Sequence, residues 1–314
     1  NKKNIHLCTP KSLVNQIFKI YWRSRGIVKE LLNDEINIYH GLSNELPIGI
    51  EKTNIKTIVT IHDLIFMRYP KFFKDIDRNV YIKKFKSACQ RANKIIAVSK
   101  QTKKDIISFF NIPEEKIKVV YQGCNKVFQS KIKKEDKILT ISKYKLPKEY
   151  LLYVGTIEER KNLLTILKTL KELPDQTLVV IGNGKSYKKK CQKFIIKNKL
   201  SERVIFLNNL STKEIAIIYQ SAEIMIYPSI FEGFGIPILE ALFSKTPVIT
   251  SKGGCFLEAG GSYSKYINPL SPSEMKEAII KIQNSESTKN EMIEKGFEHA
   301  KKFTNDKIAK NLIE

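Results

Sequence analysis

With 314 residues, 42% of them hydrophobic, the chain is long enough for two domains with cores of their own, and disorder is excluded. Its net charge of +23 is lopsided, since residues 1–150 carry 31 Lys and Arg against 14 Asp and Glu, a net +17 that leaves +6 for the rest. No apolar run reaches the ~18 residues of a spanning helix, and the five scattered cysteines (Cys8, Cys89, Cys124, Cys191 and Cys255) show no C-x-x-C spacing, which excludes a disulfide framework or a zinc ribbon.

In chain order, Asn1 to Asn4 come without an initiator Met or a charged-then-apolar leader, Ile5 to Cys8 reads as a strand, and Lys11 to Arg25 as a connecting segment. Ile36 to Gly41 is a strand ending in a Gly turn, and Lys56 to Ile61 is a β-branched strand that runs into His62 and Asp63. Parallel strands present ligands at their carboxyl ends, so His62 is either a substrate-binding or proton-transferring group or a structural His tied to a loop. Asp75-Ile76-Asp77 has the D-x-D spacing of a metal site, but it follows no buried strand. It precedes an amphipathic pattern with Tyr81, Phe85, Ala88 and Cys89 on one face, which favours an acidic helix start over a metal site. Lys94 to Ser99 is a further strand, Lys100 to Phe110 a helix capped by Ser99, and Ile117 to Tyr121 a closing strand. The Lys-rich run from Gln129 to Lys148 reads as a linker, which puts a domain boundary near residue 145.

In the second half, Leu151 to Val154 is a strand, and a helix from about Asn162 to Leu173 follows a turn carrying Gly155, Thr156, Arg160 and Lys161. Two cations at a helix start oppose the dipole, so they indicate either a diphosphate bound there or a solvated loop tip. Thr177 to Ile181 and Val204 to Leu207 are strands, the second leading to the loop Asn208 to Ser211, while Lys185 to Lys193 reads as a solvated helix face. Ala222 to Tyr227 is a buried strand followed by Pro228-Ser229-Ile230-Phe231-Glu232-Gly233-Phe234-Gly235, and Pro237 opens the next helix. At this strand-to-helix turn Gly233 and Gly235 allow a close approach to backbone N–H groups. Glu232 and Glu240 add two acceptor-only carboxylates eight residues apart, a set suited to a polyhydroxylated ligand. Helices are expected from Ser273, from Lys289 to Lys302 and from Asp306 to Glu314.

The run from Tyr227 to Leu242 resembles the E-x7-E signature of the retaining family 4 glycosyltransferases, and the likeness extends through Lys245 to Ser251, Gly253-Gly254 and Ile267 to Leu270. Leu151 to Leu163 resembles that family's phosphate-binding turn, with Thr156 where members often carry Arg, and Gln122 to Phe128 its interdomain turn. The resemblance implies the GT-B class, two Rossmann-like doubly wound parallel-sheet domains facing across a cleft. Residues 1–145 would bind the acceptor, residues 146–314 the nucleotide-sugar, and the last helix would return to the first domain. It also implies that a first strand and Gly-rich loop precede Asn1. Glu232 would bond hexose hydroxyls, Glu240 the ribose, and the backbone at Gly233, Phe234, Gly235 and Ile236 the sugar. Gly155, Thr156, Arg160 and Lys161 would hold and neutralise the diphosphate, Leu210 would lie at the base, and His62 would contact the donor sugar or lie beside the reacting carbon, with Glu232, His62, Lys161 and Arg160 as the catalytic set.

Val59 to Leu64 together with Arg68-Tyr69-Pro70 looks most like bacterial mannosyltransferases of surface-polysaccharide assembly, which makes GDP-mannose the first expected donor. No metal and no cofactor beyond the donor is expected. The basic first half suits a glycan or lipid-diphosphate-linked acceptor and a peripheral contact at the inner membrane face of a cytoplasmic protein, or else reflects drift toward Lys, Ile and Asn. Nucleic acid is not an expected partner, for want of an aromatic-interleaved platform or a helix-turn-helix. The rival readings are a nucleotide-sugar epimerase of the same fold and a non-catalytic basic nucleic-acid-binding protein.

Overall fold

The computed structural model describes residues 5–10 and 16–313, so the expectations for residues 1–4 and 11–15 lie outside the described residues. Contacts divide the chain into two compact units, Asn1–Val98 with Thr102–Val119, and Ser99–Gln101 with Val120–Glu314. Each is a parallel-sheet α/β unit, the class expected from the strand–helix alternation.

Unit 1 holds a four-stranded sheet in simple chain order, β1 (Ile38–Gly41), β2 (Lys56–Ile61), β3 (Lys94–Ala97) and β4 (Ile117–Val119), every pair parallel. Its helices include α1 (Ile27–Asn33), α2 (Asp75–Arg91) and α3 (Lys100–Phe110). β2 alternates, burying Thr57, Val59 and Ile61; Val59 and Ile61 pack with Ile95, Ala97, Ile106 and Phe110 in the unit's core, and Thr57 bonds Asn93. Asp75 and Asp77 occupy the first turn of α2, where carboxylates favour the dipole, and Tyr81 and Phe85 meet Phe66 at ring distances of 5.8 and 5.0 Å. Ile5 to Cys8 is not a strand in the structure. Ile5 and Leu7 are exposed, and apolar alternation with no partner face to bury it does not make a strand.

Unit 2 holds β5 (Leu151–Val154), β6 (Leu178–Ile181), β7 (Val204–Leu207), β8 (Ile224–Tyr227), β9 (Val248–Ser251) and β10 (Lys265–Ile267). They lie in the order β10-β9-β8-β5-β6-β7, all parallel. The strands β5, β6, β7 and β8 read as continuous apolar runs, as in sheets covered on both faces, and β6, β8 and β9 are buried throughout. Its longer helices are α4 (Lys134–Lys143), α5 (Leu163–Lys171), α6 (Ser186–Lys197), α7 (Thr212–Ser221), α8 (Ile236–Phe243), α9 (Phe256–Gly260), α10 (Pro272–Gln283), α11 (Glu286–Ala300) and α12 (Asn305–Ile313). On α5, Leu163, Ile166, Leu167 and Leu170 share one face at helical spacing and are fully buried, each contributing about 1.5–3 kcal/mol by leaving water.

The strand order reverses between β5 and β8, so their following loops part to opposite sides and leave a crevice at the carboxyl ends, the ligand position of open α/β sheets. Beside it the β5 and β6 loops are joined: Ile157 N donates to Asn183 O at 2.8 Å, and a Cβ on Gly182, whose φ is +152°, would lie 2.0 Å from Gly155 O. No side chain fits there, which is why glycine follows β6.

The stretch expected as linker, residues 129–148, contains α4, which docks on α7. Lys137 donates to Gln220 O at 3.0 Å, and Lys143 and Tyr144 converge on Glu214 at 2.6 and 2.7 Å. Lysine-rich composition hid a helix whose packing side is short. Glu214 also closes a capping box with Ser211, and the Lys143 ammonium with these hydrogen bonds pulls its carboxyl down to about 2. A depressed carboxylate stabilises above its unfolded pKa and loses that contribution as pH falls through the folded value. Glu214→Gln is therefore expected to lower stability by about 0.5–1 kcal/mol at pH 7, the Lys143 side chain being 62% exposed, and the difference from wild type should close between pH 4.5 and about 2 in urea titrations.

Candidate donor-binding site

The β5 loop carries a tight 3-10 turn at Glu159–Lys161, followed by Asn162 in the left-handed region at φ +60° and then α5. The two cations thus stand just ahead of the helix, at the positive end of its dipole, where an anion is needed to offset them. The loop after β8 runs from Pro228 to Gly235, which takes φ +119° and lets the chain swing into α8 with Pro237 as its second residue.

These loops are tied backbone to backbone and side chain to backbone. Ile230 N donates to Arg160 O at 2.8 Å, Arg160 Nη1 to Phe231 O at 2.7 Å, and Asn162 Nδ2 to Pro228 O at 3.3 Å and Pro269 O at 2.5 Å. Glu232 is drawn inward, its side chain 11% exposed, with Lys161 Nζ at 2.6 Å and Arg160 Nη1 at 2.8 Å, both on Oε1. Arg160 Nη2 pairs with Glu158 at 2.6 Å. Lys161 Nζ also donates to the Tyr227 hydroxyl at 2.7 Å, so the buried tyrosine holds the ammonium by a hydrogen bond. Cys255 Sγ on Glu232 O at 3.2 Å and Ser251 Oγ on Ser229 O at 2.6 Å fix the loop from below.

Burial pushes the Glu232 carboxyl up, but the charges of Lys161 and Arg160 outweigh it and hold the group below the usual carboxylate range. Burial likewise lowers Arg160, and the carboxylates of Glu232 and Glu158 reverse that to a net rise. Glu240, on α8, sits in a different setting. Burial raises its carboxyl, only partly offset by the Tyr219 hydroxyl at 3.0 Å.

Of the residues expected at the site, Arg160, Lys161 and Glu232 are in direct contact, with Gly155 (φ +151°) and Thr156 opening the same loop. Gly233 and Gly235 flank Phe234, whose ring is stacked on Tyr121 at 5.5 Å, and all three residues are buried. Ile236 opens α8, and Leu210 lies half-buried in the loop before α7. His62 belongs to unit 1, where Nε2 meets Leu42 O at 2.9 Å and its backbone N–H donates to Asn44 Oδ1 at 2.8 Å. Sequence reading missed Asn162, Glu158 and Tyr227. Asn directly before a helix is a recognisable left-handed residue, but nothing in the pattern of a buried strand marks the last tyrosine as polar-bonded. Among the described residues no group of three His, Cys, Asp or Glu has metal-holding geometry, and no helix is long and apolar enough to cross a membrane.

Residues 134–299 match the family described as Glycosyl transferases group 1, and residues 8–126 match Glycosyltransferase Family 4. The chain is 31% identical over 226 residues to the O-antigen chain mannosyltransferase RfbU of Salmonella typhimurium, spanning 72% of this chain and 60% of that protein. It is 26% identical over 274 residues to the O-antigen chain mannosyltransferase B of Escherichia coli, spanning 85% and 70%. Among solved structures, sucrose-phosphate synthase from Thermosynechococcus elongatus superposes with a TM-score of 0.79 at 17% identity, covering 98% of this chain and 78% of that one. Anabaena HepE in complex with UDP-glucose does so at 0.77 and 18%, covering 96% and 84%. At such identities these likenesses speak for the fold, and with the two parallel-sheet units they give the GT-B class. The chain belongs to the group 1 glycosyl transferases.

Proposed function

We propose that the chain is a retaining hexosyltransferase that takes mannose from GDP-mannose and adds it to a glycan or lipid-diphosphate-linked acceptor in surface-polysaccharide assembly. The observation that carries this reading is the buried pairing of Arg160 and Lys161 with Glu232 at the β5–β8 switch point, where cations, a carboxylate and a glycine-flanked turn share one crevice. The mannosyltransferase names of two relatives favour the sugar, and the UDP and UDP-glucose named for HepE favour a nucleotide-sugar as the donor class.

In this reading Glu240 accepts from the ribose hydroxyls and Leu210 borders the base. Gly155 and Thr156 line the diphosphate, and the N–H groups near Gly233, Phe234, Gly235 and Ile236 hold the sugar. Arg160 and Lys161 meet the diphosphate, on which charge develops as the glycosidic bond breaks. His62, at the carboxyl end of β2, is proposed to bond a donor-sugar hydroxyl. The acceptor oxygen bonds the anomeric carbon on the face from which the phosphate oxygen departs. Its proton passes to that phosphate, so neither an enzyme nucleophile nor a metal is required. The +17 charge of residues 1–150 suits a phosphorylated lipid acceptor at the cytoplasmic membrane face.

Calorimetric titration with GDP-, UDP-, ADP- and dTDP-sugars tests the reading. GDP-mannose is expected to bind in the micromolar range and about tenfold or more weakly to Glu240→Ala, which loses a bidentate acceptor for the ribose. Binding of none of the four would sink it, and binding of another base would keep the donor class but replace GDP.

A further inference from the structure

We propose that Glu232 is the internal occupant of the diphosphate site, and that through this competition it makes the site prefer a nucleotide-sugar over the bare nucleoside diphosphate. The inference rests on the donor reading above. Arg160 Nη1 and Lys161 Nζ both lie on Glu232 Oε1, and the remaining guanidinium edge is taken by Glu158. Two cations therefore face two carboxylates, and the cluster is formally neutral before any ligand arrives.

The side chains of Arg160 and Lys161 are 15% and 12% exposed, so water screens little of what happens between them. A diphosphate brings at least about two negative charges to cations already committed, and it gains them only as Glu232 gives them up. An ionised carboxylate is acceptor-only and must then find other donors. The hexose of a nucleotide-sugar supplies hydroxyls to it. A bare nucleoside diphosphate supplies none at that place, since its ribose is held at Glu240, and Glu232 is left buried with weakened partners. The same competition acts after transfer: once the hexose has gone, Glu232 recovers Arg160 and Lys161 and helps the product leave.

Removing the charge of Glu232 is expected to tighten the bare nucleoside diphosphate, a gain that no purely sugar-binding role would give. In calorimetry, Glu232→Gln is expected to bind GDP at least about tenfold more tightly than the wild type, while its preference for GDP-mannose over GDP falls toward one. Equal or weaker GDP binding by this variant overturns the proposal. Glu172→Gln removes a carboxylate of the same unit that is 50% exposed, pairs with Lys276 at 3.2 Å and takes no part in the cluster, so its GDP affinity should stay within about threefold of wild type. A gain as large as that of Glu232→Gln would deny Glu232 its particular role. Should Glu232→Gln fail to fold, the wild type carries a second test: saturating free mannose places hydroxyls beside Glu232 and should tighten GDP binding, and a lack of that synergy overturns the proposal. If the wild type binds neither GDP, UDP nor their sugars, the donor reading falls and this inference with it. Nucleotide binding that is indifferent to Glu232 sinks this inference alone.

Discussion

Replacing Lys161 by alanine is expected to lower the rate of donor cleavage by about a hundred- to a thousandfold while leaving the fold intact. The ammonium is one of two cations at the crevice, it is held by the Tyr227 hydroxyl at 2.7 Å, and its side chain is 12% exposed. Removal of a preorganised charge from a dry site that stabilises a leaving group costs about 2.7–4 kcal/mol of barrier, because water cannot step in without reorganising. Stability should change much less, since Arg160 stays on Glu232 and keeps the carboxylate paired. Lys161→Arg is expected to recover part of the rate but not all of it, because a planar fork cannot reproduce the contact of a point charge with both Tyr227 and Glu232. The check is kcat for donor turnover beside a thermal melt. A fall of less than about fivefold with Lys161→Ala would remove the residue from the reacting groups.

The largest effect on stability is expected in unit 1 from Arg68→Ala, a loss of about 3–5 kcal/mol. Asp105 on α3 has a side chain only 1% exposed, and Arg68 meets it through Nε at 2.9 and 3.0 Å and through Nη2 at 2.5 Å. Hydrogen bonding to Asp105, opposed by burial, gives Arg68 a net upward shift. Truncating the arginine strips a buried carboxylate of its cation, which is far worse than never having had a charge there. The double variant Arg68→Met with Asp105→Leu is accordingly expected to be within about 1–2 kcal/mol of wild type, because it removes the desolvation problem together with the attraction. Urea unfolding of the three proteins checks this, and a loss below about 1 kcal/mol in Arg68→Ala would contradict it.

The strands of unit 2 were legible because parallel strands covered on both faces must be apolar from end to end, and Leu151–Val154, Val204–Leu207 and Ile224–Tyr227 stand out from the lysine-rich surroundings. The glycine turn before α8 and the cations before α5 were legible for the same local reason: each is an odd choice for a helix start unless something binds there. What sequence could not carry is long-range. That both cations converge on one oxygen of Glu232 depends on β5 and β8 being neighbours, and no local pattern encodes that adjacency. Residues 134–143 were unreadable for a different cause, since α4 is defined by what it leans on, Glu214 and the end of α7, more than by its own apolar stripe. Ile5 to Cys8 shows the converse, an apolar run without a surface to cover.

The pairing of β5 with β8 across the intervening α5, β6, α6, β7 and α7 has a consequence for the order in which the molecule matures. Each half of the cluster is local, yet the two meet only after a long stretch of chain has folded back in register, a slow closure by the rule that distant contacts form late. A partly folded chain would hold its cations and its carboxylate apart, and would have neither a neutral cluster nor a place for a donor. Competence to bind is thereby a late event, and a chain able to take a nucleotide is one whose second sheet is already complete.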